Sequence, residues 1–198
     1  MDLLNNYQVL DGELVSLRPL EAKHRAELLA ASRDGELSSL WFTSVPDELK
    51  IDKYLETAFD QYKQQTALPY VVYHKKANRI IGMTRICNAD LTNRRVEIGY
   101  TWYAKSFQRT GVNTECKLLL LTLAFEKLNA IAVEFRTHWH NLTSRNAIAR
   151  LGAKQDGILR NHKIHPDGQL RDTVVFSIIC SEWPMVKKSL QYKQFQHR

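Results

Sequence analysis

The segment 107–121, FQRTGVNTECKLLLL, constrains the fold of this chain more than any other. It follows RRVEIGYTWYAK (94–105), whose alternating pattern predicts a strand, and it leads into a helix that we expect to run from about Thr114 to Leu128. Polar residues surround Gly111 between these two elements. A strand, a glycine loop and a helix start together present free backbone N–H groups and the positive end of a helix dipole, which attract phosphate.

Two interpretations of this loop are open from its residues alone. Gly111 lets the backbone approach a ligand closely, and Arg109 can add a charge-assisted contact to a phosphate. Alternatively, Asn113 or Thr114 simply caps a helix that binds nothing. The loop is not a P-loop, because no Gly-Lys-Ser/Thr follows, and it is not a dinucleotide fingerprint, because it contains a single glycine. A phosphate site here therefore requires a different class of fold.

The remaining segments predict an α/β chain of the α+β type. Its 198 residues suit one domain with a full core. Meandering strands followed by βαβ-like units imply a single domain, residues 1–198, with a central mixed, mostly antiparallel, twisted sheet and helices on both faces. Strands are expected within 9–20, 68–76, 79–89, 94–105, 130–139, 156–164 and 171–180, and helices within 21–34, 51–65, 114–128, 142–153 and from Trp183 onward.

Composition excludes several classes of protein. Hydrophobic residues make up 44% of the chain and charged residues 25%, as in soluble globular proteins. No run approaches the roughly 18 apolar residues of a membrane span. The N-terminus lacks the basic and apolar regions of a signal peptide, so a cytoplasmic protein is expected. Cys87, Cys116 and Cys180 are odd in number, lack metal-ligand spacing and suit small core positions in a reducing compartment.

The ordered set of segments resembles the GNAT superfamily of N-acetyltransferases, and most closely the branch that contains ribosomal-protein N-terminal acetyltransferases. The family's acyl-coenzyme A pyrophosphate loop has the pattern Gln/Arg-x-x-Gly-x-Gly/Ala, which here reads QRTGVN. Matching pieces also include IIGMTRI, NLTSRNAIARLGAKQDGILR and RDTVVFSI, so the resemblance covers nearly the whole chain. Asn113 departs from the family pattern at the last loop position. We expect it to alter how closely the phosphates approach without abolishing binding.

The resemblance implies acetyl-coenzyme A as co-substrate, together with a set of coenzyme contacts. The strand before the loop would lend backbone groups of Ile98, Tyr100 and Trp102 to the pantetheine arm. Asn141 is implied near the coenzyme, with Asn146 as a further contact, although Asn141 also suits a plain helix cap. The loop residues implied at the pyrophosphate are Gln108, Arg109, Thr110, Gly111, Val112, Asn113 and Thr114.

Acetyl transfer to an amine needs a base for the amine proton, a donor near the carbonyl oxygen and an acid for the leaving thiolate, but no covalent nucleophile. Glu97 is the candidate base, directly or through water, although its alternative is an outward polar position on a half-exposed strand. By the resemblance, Ser144 is the candidate acid, and water or Tyr103 is the alternative. Strand alternation predicts one face with Val96, Ile98, Tyr100 and Trp102, and another with Glu97, Gly99, Thr101 and Tyr103.

The acceptor pocket is expected to form from the first two helices and their connecting loop, residues 21–65. Candidate residues for contact with the acceptor are Trp41, Phe42, Arg85 and His138. The spacings His138-x-His140 and His162-x-x-His165 come without a third ligand at useful spacing, so no metal site is predicted.

Three functions of different classes follow. The leading hypothesis is an acetyl-CoA-dependent N-acetyltransferase that acts on a primary amine, either a protein N-terminus or a small amine. The alternative is a non-catalytic acyl-CoA-binding sensor or interaction module on the same scaffold. A nucleic-acid-binding domain, suggested by the net charge of +7, ranks last because the positive charges are scattered and no aromatic-basic RNA motif is present. No membrane partner is expected, and the resemblance allows a homodimer.

Overall fold

The computed structural model describes residues 3–165 and 167–196. Its strands are β1 (Leu10–Asp11), β2 (Val15–Pro19), β3 (Leu68–His74), β4 (Arg79–Asp90), β5 (Arg95–Tyr103), β6 (Ala132–His138), β7 (Lys154–Ile164) and β8 (Leu170–Ile179). They form one eight-stranded sheet in the order β1-β2-β3-β4-β5-β6-β8-β7. Neighbouring strands run antiparallel, except for β5 and β6, which run parallel.

Helices pack on both faces of this sheet. They are α1 (Arg25–Arg33), α2 (Ile51–Lys63), α3 (Val112–Thr122), α4 (Leu142–Leu151) and α5 (Trp183–Gln196). Apolar residues of α3, α4 and α5, including Leu120, Leu151 and Leu190, share one hydrophobic cluster. Helices α1 and α2 contribute Leu28 and Ile51 to a second cluster. The predicted mixed, mostly antiparallel sheet with helices on both faces is confirmed.

Strands β5 and β6 pair for only a short distance before they part. Their parallel register runs from Arg95 opposite Ala132 to Glu97 opposite Glu134. Beyond that point β5 continues along β4, and β6 continues along β8 as far as His138. The two halves of the sheet therefore diverge, and a gap opens between the carboxyl-terminal ends of β5 and β6. Gaps of this kind are where α/β sheets place ligands.

A β-bulge in β5 changes which side chains share a face. Trp102 pairs with Met83, and Gly99 pairs with Arg85, so β5 has one residue more than β4 in this interval. Tyr100, within the bulge, has a φ of 51°. The predicted alternation is therefore wrong beyond Gly99. Trp102 joins the cluster of α1 and α2, whereas Ile98 belongs to the cluster of α3.

The helix after the loop also begins earlier than expected. It starts at Val112, with Gly111 as its N-cap, and neither Asn113 nor Thr114 caps it. Gly111 has a φ of −67°, an ordinary helical value, whereas Arg109 takes the left-handed value of 60°. After Thr122 the helix continues as one wider π turn over Leu123–Lys127. Within residues 3–165 and 167–196, no helix is both long and apolar enough to cross a membrane.

Candidate functional site

Glu97 lies at the point where β5 and β6 part. Its side chain is nearly buried, with 11% exposed, and Oε2 accepts a hydrogen bond of 2.8 Å from Nδ2 of Asn88. Nε of Arg136 lies 3.7 Å from the same oxygen. Burial raises the pKa of the Glu97 carboxyl, while Asn88 and Arg136 oppose that rise. A carboxylate with a raised pKa at a strand fork is suited to accept a proton.

A cavity of about 210 Å³ opens beside this carboxylate. Gly99 leaves room for the carboxylate itself, because a Cβ at that position would lie 3.0 Å from Oε1 of Glu97 and 3.3 Å from Sγ of Cys87. The cavity is next to the candidate base, and most of the residues that line it are charged or polar. Its lining residues are Asn88, Asp90, Arg95, Val96, Glu97, Glu134 and Arg136.

The glycine loop follows β5 and is held by its own side chains. Nε2 of Gln108 donates to the carbonyl oxygen of Tyr103 at 3.0 Å, which ties the loop to the end of the strand. Oγ1 of Thr110 donates to the carbonyl oxygen of Phe107 at 2.7 Å and accepts from the backbone N–H of Val112 at 3.3 Å. Arg109 is exposed. The loop is therefore ordered around the helix N-terminus with its one cation facing solvent.

Asn113, the departure from the family pattern, has a structural partner. Its Oδ1 accepts a hydrogen bond of 3.2 Å from the hydroxyl of Tyr103. Burial raises the pKa of Tyr103 well above its ordinary value, so this hydroxyl stays protonated and donates. The bond joins the first turn of α3 to the end of β5, while Val112 and Thr114 beside it are buried. This asparagine therefore fixes the helix start instead of capping it.

A second helix N-terminus stands at the same edge of the sheet, because α4 follows β6 just as α3 follows β5. Oδ1 of Asn141 accepts the backbone N–H of Ser144 at 3.0 Å and caps α4, as the plain interpretation predicted. Ser144 is half-buried and Asn146 is exposed. Since β5 and β6 run parallel, the two helix starts border the gap together.

Three of the four candidate acceptor residues meet at one side of this gap. The ring centroids of Trp41 and His138 are 4.9 Å apart, and those of Phe42 and His138 are 6.5 Å apart. Nε2 of His138 lies 3.1 Å from Nε2 of His165. The loop between α1 and α2 thus reaches the end of β6.

Arg85 lies beneath the surface rather than on it. Its side chain is fully buried, and its guanidinium carbon is 4.6 Å from the ring centroid of Tyr54 and 4.1 Å from that of Tyr100. One Nη donates to Oε1 of Gln61 at 3.0 Å. Tyr100 is 37% exposed, so this ring, and not the arginine, can contact an acceptor. Among the described residues no group of three His, Cys, Asp or Glu side chains is placed to hold a metal ion.

The sequence interpretation missed two sets of charged residues near the site. Glu115 and Lys117 lie in α3 and are both buried. In the sequence they stand out as charged residues in a helix that is otherwise apolar. A buried charged side chain usually has a hydrogen-bond or ion-pair partner. Glu134 and Arg136 were also missed, because their proximity to Glu97 depends on the register between two strands distant in sequence.

Comparison with known proteins agrees with this geometry. The acetyltransferase (GNAT) domain profile matches residues 15–154. "Putative ribosomal N-acetyltransferase YdaF" of Bacillus subtilis (strain 168) is 30% identical over 172 residues, which cover 84% of this chain and 90% of that protein.

Solved structures give the same result. A GCN5-related N-acetyltransferase from Brucella melitensis is 30% identical, with a TM-score of 0.86 over 95% of this chain and 86% of that one. RimJ of Mycobacterium smegmatis, solved in complex with CoA-disulfide, is 21% identical and shares the fold, with a TM-score of 0.76 over 94% of this chain and 91% of that one. The resemblance seen in the sequence is confirmed, and the chain belongs to the GNAT acetyltransferase family.

Proposed function

We propose that this chain is an acetyl-CoA-dependent N-acetyltransferase whose acceptor is the amine at a protein N-terminus. The observation that carries the proposal is the buried Glu97 carboxylate at the fork of β5 and β6, the two strands that lead into α3 and α4. The acceptor class rests on similarity to the Bacillus subtilis relative, which is named "Putative ribosomal N-acetyltransferase YdaF". A small amine is the alternative acceptor.

Acetyl-coenzyme A fits the gap in two ways. The backbone N–H groups at the start of α3 and the exposed Arg109 can bind the pyrophosphate. Pairing between β5 and β6 ends at Glu97, which leaves the facing backbone of Ile98 and Tyr100 available to the pantetheine arm. Trp102 lies further along β5, and Asn141 and Asn146 lie on the opposite border of the gap.

The reaction is direct attack of a neutral amine on the thioester carbonyl carbon. The C–N bond forms, the C–S bond breaks, and the tetrahedral intermediate collapses to the amide and the thiolate. Glu97 takes the proton of the amine, directly or through water. Ser144, at the start of α4, donates a hydrogen bond to the thiolate as it forms. Trp41, Phe42 and His138 would contact the acceptor beside the gap.

The test is turnover of N-terminal peptides together with calorimetric titration of acetyl-CoA. We expect Glu97→Gln to lower kcat at neutral pH by roughly 100-fold, the usual contribution of a general base, while coenzyme affinity is unchanged. Ser144→Ala should lower kcat by a smaller factor. Asp11→Asn makes the same chemical change on the exposed edge strand β1 and should not affect the rate. Coenzyme binding without turnover of any amine would instead indicate the non-catalytic sensor.

A further inference from the structure

Arg136 stands between two carboxylates and binds mainly one of them. Its Nε and Nη2 donate to Oε2 of Glu134 at 3.1 and 2.8 Å. The same Nε is 3.7 Å from Oε2 of Glu97, too far for a hydrogen bond. Glu134 is held from its other side, because Nη2 of Arg95 donates to its Oε1 at 2.7 Å. The guanidinium is therefore kept on Glu134 and only approaches the candidate base.

The register of the parallel strands creates this arrangement. Glu97 and Glu134 are register partners at the last pair before the fork. Glu134 and Arg136 are two residues apart on β6, so their side chains point to the same face of the sheet. A row of alternating charge results, from Arg95 through Glu134 and Arg136 to Glu97, and it lines the cavity beside the base.

Charges from three strands, β6, β7 and β8, act on Glu97. Burial is the main cause that raises the pKa of its carboxyl, Glu134 raises it further, and Asn88, Arg136 and Lys163 lower it. Arg136 has the shortest distance to Glu97 among the cations, and its position depends on Glu134. The titratable and charged groups that face Glu97 are Cys87 of β4, Glu134 and Arg136 of β6, Lys163 of β7 and Arg171 of β8.

We propose that Glu134 and Arg136 are positioning residues for Glu97, a role that rests on the proposed function of Glu97 as the base. Glu134 holds the Arg136 guanidinium at a distance, so that the guanidinium acts on the Glu97 carboxylate by its charge without donating a hydrogen bond to it. Loss of Glu134 would let Arg136 close onto Glu97, and loss of Arg136 would leave Glu97 without its cation. The two substitutions must therefore shift the proton affinity of Glu97 in opposite directions.

The test measures the carboxyl pKa of Glu97 directly, by ¹³C NMR titration of glutamate-labelled protein, with Glu97→Gln to identify its signal. We expect Glu134→Gln to lower this pKa by about one unit and Arg136→Met to raise it by a similar amount, as is usual for a neighbouring charge. Arg136→Lys, which keeps the charge, should restore most of the wild-type value. Asp11→Asn, on the exposed edge strand β1, is the matched control for loss of a distant carboxylate. An unchanged pKa in Glu134→Gln and Arg136→Met would overturn the proposal.

A second readout separates this proposal from the proposed function. The acid limb of the pH profile of kcat/KM should move with the NMR value, to lower pH in Glu134→Gln and to higher pH in Arg136→Met. If the NMR value moves and the acid limb does not, Glu97 is not the base, and the catalytic part of the inference is overturned together with that assignment. A merely structural role of Glu134 would lower stability without the paired, opposite shifts.

Discussion

Lys117 shows how a single buried charge is tolerated next to the site. Its side chain is 5% exposed, and Nζ donates to Oγ1 of Thr101 at 2.6 Å, a neutral partner. The Thr101 hydroxyl lies in turn 2.8 Å from that of Thr84. Burial lowers the pKa of Lys117 to about 8, because a charged ammonium loses its hydration inside the protein.

This lowered pKa predicts that Lys117→Met stabilises the protein at neutral pH. The unfolded chain binds the proton up to about pH 10.4, and the folded chain only up to about pH 8. The free energy of unfolding of the wild type therefore rises as pH increases from about 8 to 10.4. Below about pH 8, the destabilisation caused by the buried ammonium of Lys117 is present in full. We expect Lys117→Met to raise the free energy of unfolding by about 1–3 kcal/mol relative to the wild type at neutral pH. This difference should disappear at high pH. Urea unfolding at several pH values measures this.

Lys127→Met is the control, because Lys127 is exposed just beyond the same helix. It should change stability little at any pH. A difference between Lys117→Met and wild type that does not vary with pH would contradict the explanation by charge burial.

At the scale of elements, the position of α3 determines the orientation of the glycine loop that precedes it. Glu115 anchors α3 to the turn between β1 and β2. Its carboxylate accepts the backbone N–H groups of Glu13, Leu14 and Val15, each at 2.8 Å. A Cβ on Gly12 would lie 2.6 Å from Cδ of Glu115, so the turn between β1 and β2 closes tightly over the carboxylate. This contact ties the edge of the sheet to the first turns of α3.

We expect Glu115→Ala to lower the free energy of unfolding by about 2–4 kcal/mol, because three backbone donors lose their acceptor. Coenzyme affinity should fall as well, since the loop before α3 would no longer be held in place. Glu115→Gln retains an acceptor oxygen and should have a smaller effect on both. Thermal unfolding and calorimetric titration measure the two effects. Lost stability with full coenzyme affinity would mean that Glu115 does not position the loop.

At the scale of the whole molecule, a cluster around His138 connects the loop between α1 and α2 to the half of the sheet formed by β6, β8 and β7. Nδ1 of His138 accepts the backbone N–H of His140 at 3.0 Å, so its proton is on Nε2, which donates to Nε2 of His165. Trp41, from the loop before α2, packs on the His138 ring. Burial, followed by the Arg171 charge, lowers the pKa of His138 to about 4.

This contact should weaken in acid. The unfolded chain protonates His138 near pH 6.5 and the folded chain near pH 4, so the stability that it contributes is full above about pH 6.5 and declines towards pH 4. The Trp41 residue that covers His138 is 60% exposed, so solvent screens part of the charge effect. We therefore expect the free energy of unfolding of the wild type to fall by only about 1 kcal/mol more than that of His138→Gln between pH 7 and 5. Denaturant unfolding at both pH values measures the difference. Equal losses in the two proteins would contradict it.

Local patterns were sufficient for much of the fold and part of the site. The loop from Gln108 to Asn113 could be predicted because a strand, a turn and a helix follow one another within about 30 residues. The order of the helices and strands was predicted from the same kind of local periodicity. The helix expected within 142–153 is observed as α4 and ends at Gly152, a glycine in a left-handed conformation. The GNAT resemblance rests on the same local segments.

Tertiary structure decided what depends on pairing between distant segments. The bulge at Tyr100, which reverses the faces of β5, exists only in the register with β4. The approach of Arg136 to Glu97 needs the parallel register with β6, and the burial of Arg85 needs α2 packed over the sheet. Sequence by itself determined the elements and the loop, because their physics is local. The charges, burial and neighbours that give each site residue its chemistry are non-local, so only the assembled fold determined them.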